Sequence, residues 1–218
     1  MSYSCLEELQ VDLDLYALGK INILSKVGCK CNEGWFVITD DGQCHLFDKD
    51  GNLDDIKKVK RLKNKHIRKD IKKIIIPDSI TNIDAIAFYN CEKLMSIMIP
   101  DSVTSIGESA FDSCYSLKSV TIPDSVTRIG IGAFYLCHGL TSIMIGNGVI
   151  SIKDWTFYNC NSLMNVIIGN SVKNIDFYAF SSCDKLANLI FKGKTLEQVK
   201  KMRDYPWEIE DESIINVK

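Results

Sequence analysis

The chain has 218 residues, enough for one large domain or two small ones. It is 46% hydrophobic and 25% charged with a mean hydropathy near zero, the composition of an ordinary globular protein rather than a disordered one. A net charge of −2 gives no global attraction to nucleic acid or anionic membranes, and no run of about 18 apolar residues is present to span a bilayer. Nine cysteines stand out, an odd number that argues against a disulfide scaffold and for a reducing compartment.

The acidic start Met1-Ser2-Tyr3-Ser4-Cys5-Leu6-Glu7-Glu8 lacks a basic stretch ahead of an apolar one, so no secretory signal is visible and a cytoplasmic location is expected. A surface or secreted location by an unconventional route stays open. Ser4 with Glu7 fits a helix capping box, whereas Val11, Leu13 and Leu15 alternate as in a strand; a helix is preferred over 4–26. Trp35–Thr39, the turn Asp40-Asp41-Gly42 and Cys44–Phe47 predict a β-hairpin. Ile56, Val59 and Leu62 recur at helical spacing inside a strongly basic stretch, which predicts a capping helix with a solvated lysine face. Residues 1–70 lack the period that follows and are read as an N-terminal cap.

From there the chain repeats. Cys91, Cys114, Cys137, Cys160 and Cys183 recur at one constant interval, and residues 76–190 divide into five units at that period. Three units begin Ile-Pro-Asp-Ser, at Ile76, Ile99 and Ile122; the last two begin Ile145-Gly146-Asn147 and Ile168-Gly169-Asn170. Further columns are Ile83, Ile106, Ile129, Ile152, Ile175 and Phe88, Phe111, Phe134, Phe157, Phe180. Each unit reads as a short strand, a Pro- or Gly-containing turn, Val-x-x-Ile, and one helical turn at Ala-Phe-x-x-Cys. Ile71–Ile76 matches the strand in register, giving a sixth. No unit can bury its apolar face alone, so the units must stack into a curved repeat solenoid with parallel strands on one face, over 71–190.

Val103-Thr104-Ser105-Ile106-Gly107-Glu108-Ser109-Ala110-Phe111, followed by Cys114 and Leu117, resembles the BspA-like (Treponema-type) leucine-rich repeat. The resemblance implies a leucine-rich-repeat fold, a right-handed superhelix with caps at both ends, used for binding and often as a bacterial or protozoan surface adhesin. Repeats four and five depart from the pattern by losing Pro and Asp, and Thr156 replaces Ala in the fourth.

After Phe191 the period stops. Thr195 with Gln198 resembles a capping box, and Leu196, Val199 and Met202 give one apolar helix face. Pro206 is expected to end that helix and Trp207 to plug the core, so 191–218 is read as a helical C-terminal cap.

The search for catalytic chemistry is negative: the sequence has no HExxH, GxSxG or GxxxxGK[ST], and His45, His66 and His138 fall in different segments without an evident acid and nucleophile. Gly146-x-Gly148-x-x-Ser151 fills the turn slot of its repeat and is read as a turn. No enzyme, cofactor or metal is predicted. The cysteine column is read as small buried apolar residues, because neighbouring Cβ vectors run parallel and bridge poorly. Cys29, Cys31, Cys44 and His45 have thiolate and imidazole groups but not the usual zinc spacing. Asp48–Asn52 begins like a calcium loop, yet Val59 stands where the bidentate Glu belongs.

Two surfaces are candidates for binding. Lys57–Lys73 carries ten Lys or Arg against Asp70 alone; Lys57, Lys58, Lys60, Arg61, Lys63, Lys65, Arg68 and Lys69 form a basic patch that could meet an anionic surface or nucleic acid. No aromatic residue interleaves these charges, which disfavours nucleic acid. On the strands, alternation sends the fourth and sixth residues inward and the third and fifth outward. The fifth-position column is Ile75, Met98, Thr121, Met144, Ile167 and Ile190, flanked by Ser96, Ser119, Ser142, Asn165 and Asn188. This makes an apolar stripe of about 25 Å beside a polar row, the mark of a contact site. The expected function is a non-catalytic interaction module that binds a protein partner, or a second copy of itself, on this inner face.

Overall fold

The computed structural model describes residues 71–218 apart from positions 77 and 79, together with the backbone of 34–38, 43–48, 58–59 and position 75. Two parallel ladders run along the stack. The larger begins with the hairpin β1 (Gly34–Ile38) and β2 (Gln43–Asp48), antiparallel with Trp35 opposite Phe47. It continues in parallel through β4 (Lys73–Ile75), β6 (Ser96–Met98), β8 (Ser119–Ile122), β10 (Ser142–Ile145), β12 (Asn165–Ile168) and β14 (Asn188–Phe191). From β8 to β14 each residue pairs with its own counterpart one repeat away, so Ser119, Ser142, Asn165 and Asn188 stand side by side, whereas β6 meets β8 only at Ser96 and Ser119. The hairpin expected near residue 35 is therefore present, and it extends the repeat sheet.

The smaller ladder uses two residues per turn. It joins β3 (Lys58–Val59), β5 (Asn82–Ile83), β7 (Ser105–Ile106) and β9 (Arg128–Ile129), with β11 (Ser151–Ile152) and β13 (Asn174–Ile175) paired beyond them. Between the ladders the core is built of columns. Ile83, Ile106, Ile129, Ile152 and Ile175 are all buried, as are the five phenylalanines. Successive Phe rings lie 5.2–5.6 Å apart and nearly parallel, so each ring is packed by its own counterpart one turn away.

The Ala-Phe-x-x-Cys segment is not the helical turn expected of it. Its N–H groups alternate between two kinds of acceptor. Ala87, Tyr89 and Cys91 donate to Asp84, Ile86 and Phe88 within their own turn, whereas Ile86, Phe88 and Asn90 donate to Glu108, Ala110 and Asp112 of the next repeat. An α-helix would aim every N–H along its own axis and leave the neighbouring turn unbonded. Reaching sideways requires positive φ at two residues per repeat, such as Ile86 and Asn90 or Trp155 and Asn159.

Two cap expectations also need correction. Lys58 and Val59, expected on a helix, form a strand, with Val59 opposite Ile83. The β-branched Val59 extends the short ladder instead of lining a helix face. The C-terminal segment is only partly helical: α1 (Leu196–Lys200) is followed by a 3₁₀ turn at Glu212–Ile214 and by β15 (Ile215–Val217), which pairs in parallel with β14. The capping box is formed, with Thr195 Oγ1 accepting from the Gln198 N–H and Gln198 Oε1 from the Thr195 N–H. The helix stops at Lys200, ahead of Pro206. Val199 inside the helix and Met202 just beyond its end are buried, whereas Leu196 at its first position is exposed. Trp207 is the expected plug, 5.7 Å from the Phe191 ring and donating Nε1–H to the Arg203 carbonyl at 2.8 Å. The helix proposed over 4–26, Cys29, Cys31, the turn 48–52 apart from Asp48, and the basic residues Lys57, Lys60, Arg61, Lys63, Lys65, Arg68 and Lys69 lie outside the described residues.

Candidate binding face

The strands of the large ladder alternate as their sequence requires. In β8, Ser119 and Thr121 are exposed while Val120 and Ile122 are buried; in β14, Leu189 and Phe191 are buried. The outward column therefore lies on one face of a continuous parallel sheet. Met98 projects farthest, at 76% exposure. Thr121 and Met144 are exposed, and Ile167 and Ile190 are half-buried. Ile75 is placed opposite Met98 by the pairing of β4 with β6.

The polar row beside it is Ser96, Ser119, Asn165 and Asn188, all exposed, with Ser142 half-buried. Asn188 donates from Nδ2 to Asn165 Oδ1 at 2.9 Å, so these amides are partly engaged with each other. Two methionines at the strand entries were not anticipated: Met95 and Met164, both exposed. They occupy the second position of the repeat, a column that also holds Lys72, Lys118 and Thr141, so alternation alone gives it no direction.

The cysteine column faces the core. Cys91, Cys114, Cys137 and Cys160 are buried and free, with Cys183 half-buried. Burial pushes the thiols of Cys114, Cys137 and Cys160 well up, and that of Cys183 to about 12. His138 donates from Nδ1 to the Asn159 carbonyl and stacks on Tyr115, which is a structural use of the ring. Among the described residues no cluster of His, Cys, Asp or Glu has metal-binding geometry, and no helix is long and apolar enough to cross a membrane.

At the turn after the strands, Asp124 accepts from the backbone N–H of Asn147 at 2.7 Å and from its Nδ2 at 3.1 Å, and the Asn170 N–H continues the row by donating to Asn147 Oδ1. These bonds hold the Asp124 carboxyl below its ordinary range.

Residues 63–187, more than half of the chain, match the BspA type leucine rich repeat region in six copies. The chain belongs to the BspA-type leucine-rich-repeat family. Solved structures agree on the fold. A T. pallidum leucine-rich-repeat protein superposes with a TM-score of 0.57 at 22% identity, over 73% of this chain and 91% of that one. A leucine-rich-repeat protein from Eubacterium ventriosum gives the same TM-score at 21% identity over 72% of this chain, which spans only 39% of that longer protein. No curated protein matches the sequence. Membership of this repeat family points to a protein-binding or adhesin role and to a typically non-catalytic protein.

Proposed function

We propose that the chain is a non-catalytic interaction module that engages a protein partner across the exposed face of its large parallel sheet. The observation that carries this reading is Met98, a large apolar residue three-quarters exposed at the end of strand β6 of the large sheet. Met144 continues its column, and Met95 and Met164 add unbranched, adaptable apolar side chains at the strand entries. Burial of this column supplies the favourable term, and the flanking Ser and Asn groups supply hydrogen bonds that fix register. Within the same reading, the family favours a partner met at a cell surface, as for an adhesin.

The test is the triple variant Met98→Glu, Met144→Glu, Ile167→Glu, compared with the unaltered protein in capture from the native host and in sedimentation. Loss of the captured partner, or of self-association, with an unchanged melting curve supports the proposal. Equal capture by both proteins would remove this face from the reading.

A further inference from the structure

The repeat supplies its own internal alignment, and one surface breaks it. In the column of Ile86, Ser109 and Gly132, the fourth and fifth repeats carry Trp155 and Tyr178. The preceding column, Ala85, Glu108, Ile131 and Asp154, ends in Phe177. Trp155, Phe177 and Tyr178 are all exposed; Trp155 and Tyr178 hold φ of 56°, a region that bulky residues rarely adopt. Their rings lie 6.5 Å apart, and Phe177 lies 5.1 Å from Tyr178. The positive φ belongs to the column, which Ile86 and Ser109 share, but neither burial nor backbone preference accounts for placing large aromatics there.

Trp155 and Phe177 follow directly in the chain on Asp154 and Asp176, which line a groove of about 760 Å³ along the small ladder; the three aromatics stand next to this lining and are not part of it. Two exposed aliphatic residues, Ile131 and Ile150, also line it, and Ile150 stands where the first three repeats have Thr81, Thr104 and Thr127. The groove's carboxylates are Asp84, Glu108, Asp154 and Asp176, against the cations Arg128 and Lys153. Lys153 is already paired with Asp176 at 3.3 Å, and among the described residues Glu108 and Asp154 have no ion pair.

We infer that this groove, on the small-ladder side of the solenoid, binds an extended basic segment of a partner protein. Surplus carboxylates attract arginine or lysine, the aromatic faces take cationic side chains, and Ile131 and Ile150 hold the aliphatic stems. The span from β5 to β13 is roughly 19 Å, the length of about six extended residues.

The probe is a capped synthetic peptide of alternating arginine and threonine, with a glutamine-for-arginine version as control, titrated by calorimetry. The expected result is binding that weakens with salt, is absent for the glutamine peptide, and falls about tenfold in Trp155→Ser and in Asp154→Asn with Glu108→Gln. Serine already fills this column at Ser109, so Trp155→Ser should melt at least as high as the unaltered protein. Met98→Glu with Met144→Glu should bind the peptide normally, which separates this site from the large sheet. No binding at millimolar peptide, equal binding of the glutamine peptide, or unchanged binding in Trp155→Ser would overturn the inference. So would binding of a neutral oligosaccharide in the peptide's place, or a self-associated dimer broken by Trp155→Ser.

Discussion

The thiol of Cys137 donates to the carbonyl oxygen of Phe111 at 3.2 Å, linking two residues 26 apart in sequence and one repeat apart in space. The same bond recurs from Cys114 to Phe88, Cys160 to Phe134 and Cys183 to Phe157. Each of these carbonyls already accepts the N–H three residues on, so the thiol satisfies its second lone pair. A cysteine is small and apolar enough for the core yet still donates, which neither Ala nor Val does.

Cys137→Ala should therefore lower stability by about 1–2 kcal/mol, from a lost buried hydrogen bond and a sulfur-sized void. The Phe111 carbonyl keeps its bond from the Cys114 N–H, so the loss stays below that of an orphaned acceptor. The urea midpoint measured by circular dichroism, alongside Phe134→Ala at about 3–5 kcal/mol, checks the order.

The column should also make the protein sensitive to alkali. Burial raises the thiols of Cys114, Cys137, Cys160 and Cys183 above the ordinary value near 9, Cys183 to about 12, so the folded state holds protons that the unfolded chain releases. That stability is fully present below about pH 9 and is lost as pH rises towards 12. Thermal melts across that window should show a falling midpoint. Under native conditions at pH 8, a thiol reagent should label half-buried Cys183 first among the described cysteines, the buried four reacting only on unfolding.

Asp124 carries the opposite dependence. Its carboxylate is held down by Asn147, so its contribution is present above the ordinary value of 3.8 and disappears as pH falls through the lower folded one. Carboxyl chemical shifts should place its midpoint below that ordinary value. Asp124→Asn, which extends the row Asn147 and Asn170 by one residue, should remove this acid-dependent component.

Leu136 holds φ of 57° in a column that otherwise contains Asn90, Ser113, Asn159 and Ser182. Asn tolerates this conformation better than Leu, and the Leu136 side chain is only half-buried. Leu136→Asn should raise stability by about 0.5–1 kcal/mol. An unchanged or lowered melting temperature would mean that Leu136 packs more than its exposure suggests.

Much of this architecture was legible because one period governs it. The columns headed by Ile83, Phe88 and Cys91 named the core, and alternation assigned Val120 inward and Thr121 outward. The cap residues Thr195, Gln198 and Trp207 were likewise readable from local chemistry. What escaped depends on neighbours one turn away. The positive φ of Ile86 answers to an acceptor on Glu108, not to its own side chain. Val59 has helical spacing from Ile56 and Leu62, yet it pairs with Ile83 in the turn that follows. The return of Ile215–Val217 to the sheet comes after an excursion from Lys192 to Ile214 that carries no periodic signal. The exposed aromatics stand in the sequence as breaks in columns, and the regularity of the columns around them conceals their meaning.

The side-chain bonds between turns join residues about one repeat apart, whether Thr104 with Thr81, Asp124 with Asn147 or His138 with Asn159. Each of these contacts crosses only to an adjacent turn, so loop closure is paid in small equal instalments despite the all-β content. Such a chain should assemble by accretion onto whichever turns order first, and a destabilised turn should divide it into two separately melting blocks. Pulled from its ends, it should come apart turn by turn, each release lengthening the chain by one repeat.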